Sequence, residues 1–190
     1  MRKFLFLLLF LIAPFAAKAQ ISQATGFDAN TNNDTYSAGA SFAPSTGVFF
    51  ASCGSNTKTI RIIGLTISGT DSPASTLTVS LLRTSTAPSA GTAMTNVSLD
   101  TSNATPTSLL EYFTTTPTAG TSLGAIRVFD LGLPAGNTAT NVQGYFRINP
   151  SAFGSPIVLH GASQCIELST ATSTTGITLQ VSEEWYETAY

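Results

Sequence analysis

Along most of this chain apolar and polar residues alternate one for one. Between positions 76 and 83, TLTVSLLR sends Leu77, Val79 and Leu81 to one side and Thr78 and Ser80 to the other. That is the period of a strand with one buried face. The preceding run, residues 58–70 (KTIRIIGLTISGT), alternates too, with one slip. Ile60 and Ile62 share one parity; Ile63, Leu65 and Ile67 share the other. A one-residue slip inverts every later side chain, so the pattern predicts either a β-bulge at Ile62–Ile63 or a strand buried on both sides. The bulge is the better reading, because Arg61 would otherwise share the Ile63 face. Asp71, Ser72 and Pro73 make a turn between the two runs, which are expected to pair as adjacent antiparallel strands.

Shorter runs of the same kind follow the whole length. Residues 48–53 (VFFASC), 123–131 (LGAIRVFDL), 142–148 (VQGYFRI), 156–160 (PIVLH), 164–169 and 177–186 all read as strands. Residues 94–99 read as a short edge strand, and 109–115 (LLEYFTT) as a strand rather than helical turns. Gly, Pro, Asn and Ser punctuate them, and no amphipathic helix stands out. The expectation is an all-β, single antiparallel β-sandwich, jelly-roll-like, over residues 46–190. Residues 20–45 are poor in large apolar side chains and read as a polar arm or loops laid over the core.

Residues 1–19 read as a signal-peptide-like leader. Arg2 and Lys3 start it, an apolar run from Phe4 to Ile12 follows, and Ala17-Lys18-Ala19 offers an A-x-A cleavage site. The apolar stretch is shorter than the ~20 residues a membrane-spanning helix needs, so no stable span is expected in the mature chain. Cleavage would remove Arg2, Lys3 and Lys18, taking 8 basic side chains to 5 against 10 acidic ones, and the net charge from −2 to −5. Only 9% of the residues are charged. With no basic cluster, nucleic acid is not an expected partner.

The chain has few parts for catalysis. His160 is its only histidine, and no G-x-S-x-G elbow accompanies it. A Cys–His pair of Cys165 with His160 is conceivable across a hairpin turn; the alternative is a strand-end His and a core or disulfide Cys. One His and two Cys cannot fill a structural tetrahedral zinc site without carboxylate help. Cys53 and Cys165 either pair as a disulfide in an oxidising compartment or stay as separate buried thiols. Glu183 and Glu184 are adjacent, so on a strand they point to opposite faces and cannot act together. Glu183 shares its parity with Ile177, Leu179, Val181 and Trp185. Were that face still buried, Glu183 would need a cation such as Arg83, Arg127 or Arg147; the expectation is that the strand has left the core by then. Asp28, Asn30, Asn32 and Asp34 have the 1, 3, 5, 7 spacing of a calcium loop, but Gly39 stands where the bidentate Glu belongs. That set is incomplete, and no cofactor is expected.

Several short segments carry a family likeness. They are Lys58-Thr59-Ile60-Arg61-Ile62, Ile67-Ser68-Gly69-Thr70, Leu82-Arg83-Thr84-Ser85, Leu99-Asp100, Gly124-Ala125-Ile126-Arg127 and Leu133-Pro134. Ile157-Val158-Leu159-His160-Gly161 through Gln164-Cys165, and Glu183-Glu184-Trp185, complete the set. In that order they resemble a family of uncharacterised β-rich proteins encoded near virion genes in tailed bacteriophage genomes. The family pattern has Arg where His160 stands. The resemblance implies a non-enzymatic virion structural or decoration protein, with no catalytic residue to carry over. Its partners would be other virion or surface proteins, further copies of itself, or a glycan. The leader departs from the pattern, because tailed-phage virions assemble inside the cell. A cleaved leader would make this chain secreted, periplasmic or cell-surface, and its role that of an exported surface or carbohydrate-binding module. A secreted hydrolase is the remote third reading.

Overall fold

The structure is a computed structural model that describes residues 34–136, 144–149 and 156–189. Their regular structure is all strand: β1 (Asp34–Phe42), β2 (Gly47–Cys53), β3 (Lys58–Thr70), β4 (Ser75–Thr84), β5 (Thr92–Ala93) and β6 (Asn96–Ser98) come first. β7 (Leu109–Tyr112), β8 (Ser122–Leu133), β9 (Gly144–Ile148), β10 (Ile157–His160), β11 (Cys165–Thr170) and β12 (Thr178–Ala189) follow. They form two six-stranded sheets. The first runs β10-β3-β12-β1-β6, with β9 also paired to β3; the second runs β5-β7-β2-β11-β4-β8. Every ladder between strands is antiparallel. The inner faces meet in one apolar core, with Ile60, Leu65, Ile67, Val181 and Trp185 from the first sheet against Phe50, Leu77, Leu81, Ile166 and Leu168 from the second. The expected β-sandwich is thus the fold. The leader, residues 1–19, lies outside the described residues.

The predicted bulge is present. Trp185 pairs with Ile62 and Glu184 with Gly64, so Ile63 is the extra residue of β3. Ile60, Ile62, Leu65 and Ile67 are consequently all fully buried on one face. The same irregularity divides the outer edge of β3: β10 pairs with Thr59–Ile62 and β9 with Leu65–Gly69.

Two sequence expectations are corrected. The runs of β3 and β4 do not pair; they lie in opposite sheets, and the turn through Asp71–Ser72 carries the chain across the end of the sandwich. Asp71 Oδ1 accepts the Ser72 N–H there, and Gly136 N–H donates to the Asp71 carbonyl. Alternation reports one buried face but not whether the next strand lies beside it or opposite it. Nor are residues 34–42 part of an arm. They form β1, whose Tyr36, Ala38 and Phe42 enter the core while Ser37, Gly39 and Ser41 face out. β1 is flanked by β12 and β6, so the domain begins before position 46. The expected short edge strand at 94–99 is β6, which ends the first sheet; β5, just before it, belongs to the second sheet, and Met94 is buried where the chain changes sheets.

Cys53 and Cys165 face each other across the β2–β11 ladder and are joined by a disulfide. β8 closes the second sheet at one edge. Its last five residues include the buried Phe129, Leu131 and Leu133, whereas Leu123, Ile126 and Val128 in the run before them are exposed.

Candidate functional site

The two sheets differ on their outer faces. The second sheet is covered. β7 and β8 stand on opposite sides of β2, β11 and β4, so the segment joining them, residues 113–121, has to cross that face. Phe113 packs on Val48 and Ala51. Thr116 Oγ1 donates to the Thr46 carbonyl at 3.1 Å, and Ser85 N–H to the Thr121 carbonyl at 2.9 Å. At the centre, Gly120 N–H donates to Oε1 of the buried Glu167 at 3.0 Å. Burial raises the Glu167 carboxyl above the ordinary carboxylate range, and the bonds from Gly120 and Thr84 oppose the shift. A side chain on Gly120 would drive its Cβ into the Thr86 carbonyl oxygen, so only glycine lets the crossing segment lie this close.

Between the sheets lies a second buried carboxyl, which the sequence reading placed outside the core. Glu183 is 0% exposed. No cation meets it. Ser52, on the facing β2, donates its hydroxyl to Glu183 Oε1 at 2.6 Å. Of the arginines considered for this role, Arg83 donates to the Val158 carbonyl and to Gln164, and Arg147 pairs with Glu184. Oε2 of Glu183 is buried with no hydrogen-bond partner among the described residues. Burial pushes this carboxyl up from 4.5 to about 8, against the opposing effect of the Ser52 bond. Glu183 is therefore mostly protonated at neutral pH. A hydroxyl beside a carboxyl suggests a nucleophile and its base, but Ser52 is also fully buried, so no substrate reaches the pair.

Glu187, four rungs further along β12, is buried in a different manner. Its Oε1 accepts from Thr107 N–H, Ser108 N–H and Trp185 Nε1–H, and its Oε2 from Thr107 Oγ1. It anchors the loop of residues 99–108, whose Ala104 carbonyl also accepts the Tyr36 hydroxyl. Tyr36 and Trp185 stack beside it at 5.6 Å. Burial, and then the nearby Asp34 and Glu187, hold the Tyr36 phenol far above its ordinary pKa.

Among the described residues nothing covers a groove of about 430 Å³ on the outer face of the first sheet. The ladders place its lining in two rungs across three strands. Gly39, Ser182 and Thr66 form one; Ser41, Gln180 and Ser68 form the next but one, which points to the same face. None of the six is ionisable. Next to them the exposed Arg147 and Glu184 pair at 3.4 Å.

The remaining candidates fall elsewhere. Asp34 starts β1 and pairs with Lys58 at 3.2 Å; Asp28, Asn30 and Asn32 lie outside the described residues. Among the described residues no cluster of three or more His, Cys, Asp or Glu could hold a metal. His160 ends β10 with its Nδ1 3.3 Å from Thr59 Oγ1. Cys165, bound to Cys53, has no thiol to offer it. Glu183 and Glu184 point to opposite faces as expected. Among the described residues there is no helix long and apolar enough to cross a membrane. The groove was not foreseen from sequence; its only trace there is the row of Ser, Gly, Thr and Gln at the outward parity of β1, β3 and β12. No protein-family model, curated protein or solved structure matches the chain.

Proposed function

We propose that this protein is a non-enzymatic structural and interaction protein that works by assembly, as a virion structural or decoration protein does. The observation that carries the reading is the exposed stretch of β8 from Ser122 to Val128. β8 ends the second sheet, and this stretch exposes Leu123, Ile126 and Val128 along one strand. Exposed apolar residues on an open strand edge favour association with another chain. The phage-like segments noted in the sequence supply the class of partner. Sedimentation of residues 20–190 at low and high ionic strength tests it. Assembly is expected at both, because an apolar edge is little affected by salt. Ile126→Lys with Val128→Lys is expected to leave monomers. A monomer at every concentration, or assembly that dissolves in moderate salt, overturns the reading. Mass spectrometry of purified virions from the producing cells tests the partner class.

An exported surface-binding module is the second reading, supported by the uncharged open groove on the other sheet.

A further inference from the structure

We infer that the groove across β1, β12 and β3 is a binding site for a neutral oligosaccharide. This shares with the assembly reading only the premise that the chain works by binding, and it uses the opposite sheet.

The first support is unspent hydrogen-bonding capacity. Ser68 is only 9% exposed and lines the groove, and its hydroxyl makes no hydrogen bond to the other described residues. Its oxygen opens onto the groove, where a ligand hydroxyl can take the place of water. Ser41, Thr66, Gln180 and Ser182 turn their side chains to the same space without a bond between them. Together they supply hydroxyl and amide groups that both donate and accept. A ligand that matches them carries many groups of both kinds, which is the chemistry of a sugar ring.

The second support is charge. The lining has no ionisable side chain, and the nearest charges, Arg147 and Glu184, neutralise one another. A polyanion would find no uncompensated cation, and an apolar ligand would strip water from hydroxyls without replacing it. The third is access. β12 is paired on both sides by β1 and β3 throughout the groove, so a peptide cannot join as an added strand and recognition has to pass through side chains. Gly39 leaves the floor low, and the volume lies within the ~300–1,000 Å³ of small-molecule clefts.

The test uses residues 20–190 and calorimetric titration with neutral hexasaccharides of glucose, mannose, xylose and N-acetylglucosamine, beside a polyuronate hexamer. At least one neutral hexasaccharide is expected to bind, with a Kd of roughly 0.1–1 mM. Gly39→Phe should weaken that binding at least ~10-fold by filling the floor. The fold should tolerate the change, because a Cβ at Gly39 meets only ordinary contacts at 3.6 and 3.7 Å. Ser68→Ala, which removes one hydroxyl and no bulk, should weaken binding several-fold at unchanged thermal stability. Binding of none of the neutral sugars, binding of the polyuronate alone, or equal affinity in Gly39→Phe overturns the inference. Sedimentation of the same variants should match the wild type, so a failure of the assembly reading shows separately.

Discussion

Ser52 and Glu183 meet at 2.6 Å from opposite sheets, a polar contact in the middle of an apolar core. Its consequence is a stability that falls as pH rises. The unfolded carboxyl ionises above about 4.5, whereas the folded one keeps its proton to about 8. Between these values the unfolded state binds fewer protons, so stability declines with a slope approaching about 1.4 kcal/mol per pH unit. Below the lower value the full stability is present. Denaturant titrations of wild type and Glu183→Gln across this window should diverge, with the variant the more stable toward pH 8. Glu167, also raised, slopes in the same sense, so the difference between the two proteins is what reports Glu183. Parallel curves would show that Glu183 is already ionised in the fold.

Val79 is fully buried midway along β4. Val79→Asp would place an unpaired carboxylate against Leu77, Leu81 and Phe129. A loss above about 4 kcal/mol and no cooperative melting are expected. A melting curve like that of the wild type would mean that this face is open to water.

Gly120 and Gly39 make a matched pair of substitutions. Gly120→Ala drives a methyl into the Thr86 carbonyl and Glu167, so the segment over the second sheet has to lift. A loss of about 1–3 kcal/mol is expected, with faster amide exchange at Gly120. Gly39→Ala meets only ordinary contacts and should melt within about 0.5 kcal/mol of wild type. Equal effects would place the crossing segment further from the sheet.

The disulfide closes a loop across a sequence separation of 112 residues. In the chain-entropy account such a loop contributes about 4–5 kcal/mol through the unfolded state. Replacing both cysteines by serine should therefore lower the denaturant midpoint sharply with little change in the native near-ultraviolet spectrum. An unchanged midpoint would mean that the unfolded chain is not freed by the cut.

Parity arguments travelled well within one strand and poorly between strands. Ile63 was legible as a bulge because Ile62 and Leu65 both needed the core, a conflict visible in the sequence itself. The separation of β3 and β4 was not legible, because Leu77 and Ile67 have the same pattern whether their strands lie side by side or face to face. Glu183 was misjudged for a physical reason. A carboxylate in that position demands a cation, but a protonated carboxyl needs only a hydroxyl, and Ser52 comes from a strand 131 residues away in sequence. β1 was passed over because Ser37, Gly39 and Ser41 are small and its apolar residues few. Its alternation was nonetheless as regular as that of β4. The groove depends on which three strands become neighbours, information that no single segment holds.

β1 and β12 lie antiparallel with Asp34 opposite Glu187 and Phe42 opposite Leu179. The outer ends of both strands therefore emerge together. A pull applied between Asp34 and Ala189 would act across the ladder, along its hydrogen bonds, and load one rung at a time. On its other side β1 is held by only three rungs to β6, from Tyr36 to Ala38. Under tension from these two points the domain should open like a zip at low force. Tethered instead through Asp34 and the far end of β12, at Thr178, the same ladder would be sheared with all its rungs sharing the load. A given sandwich can thus be mechanically soft or stiff according to where it is held.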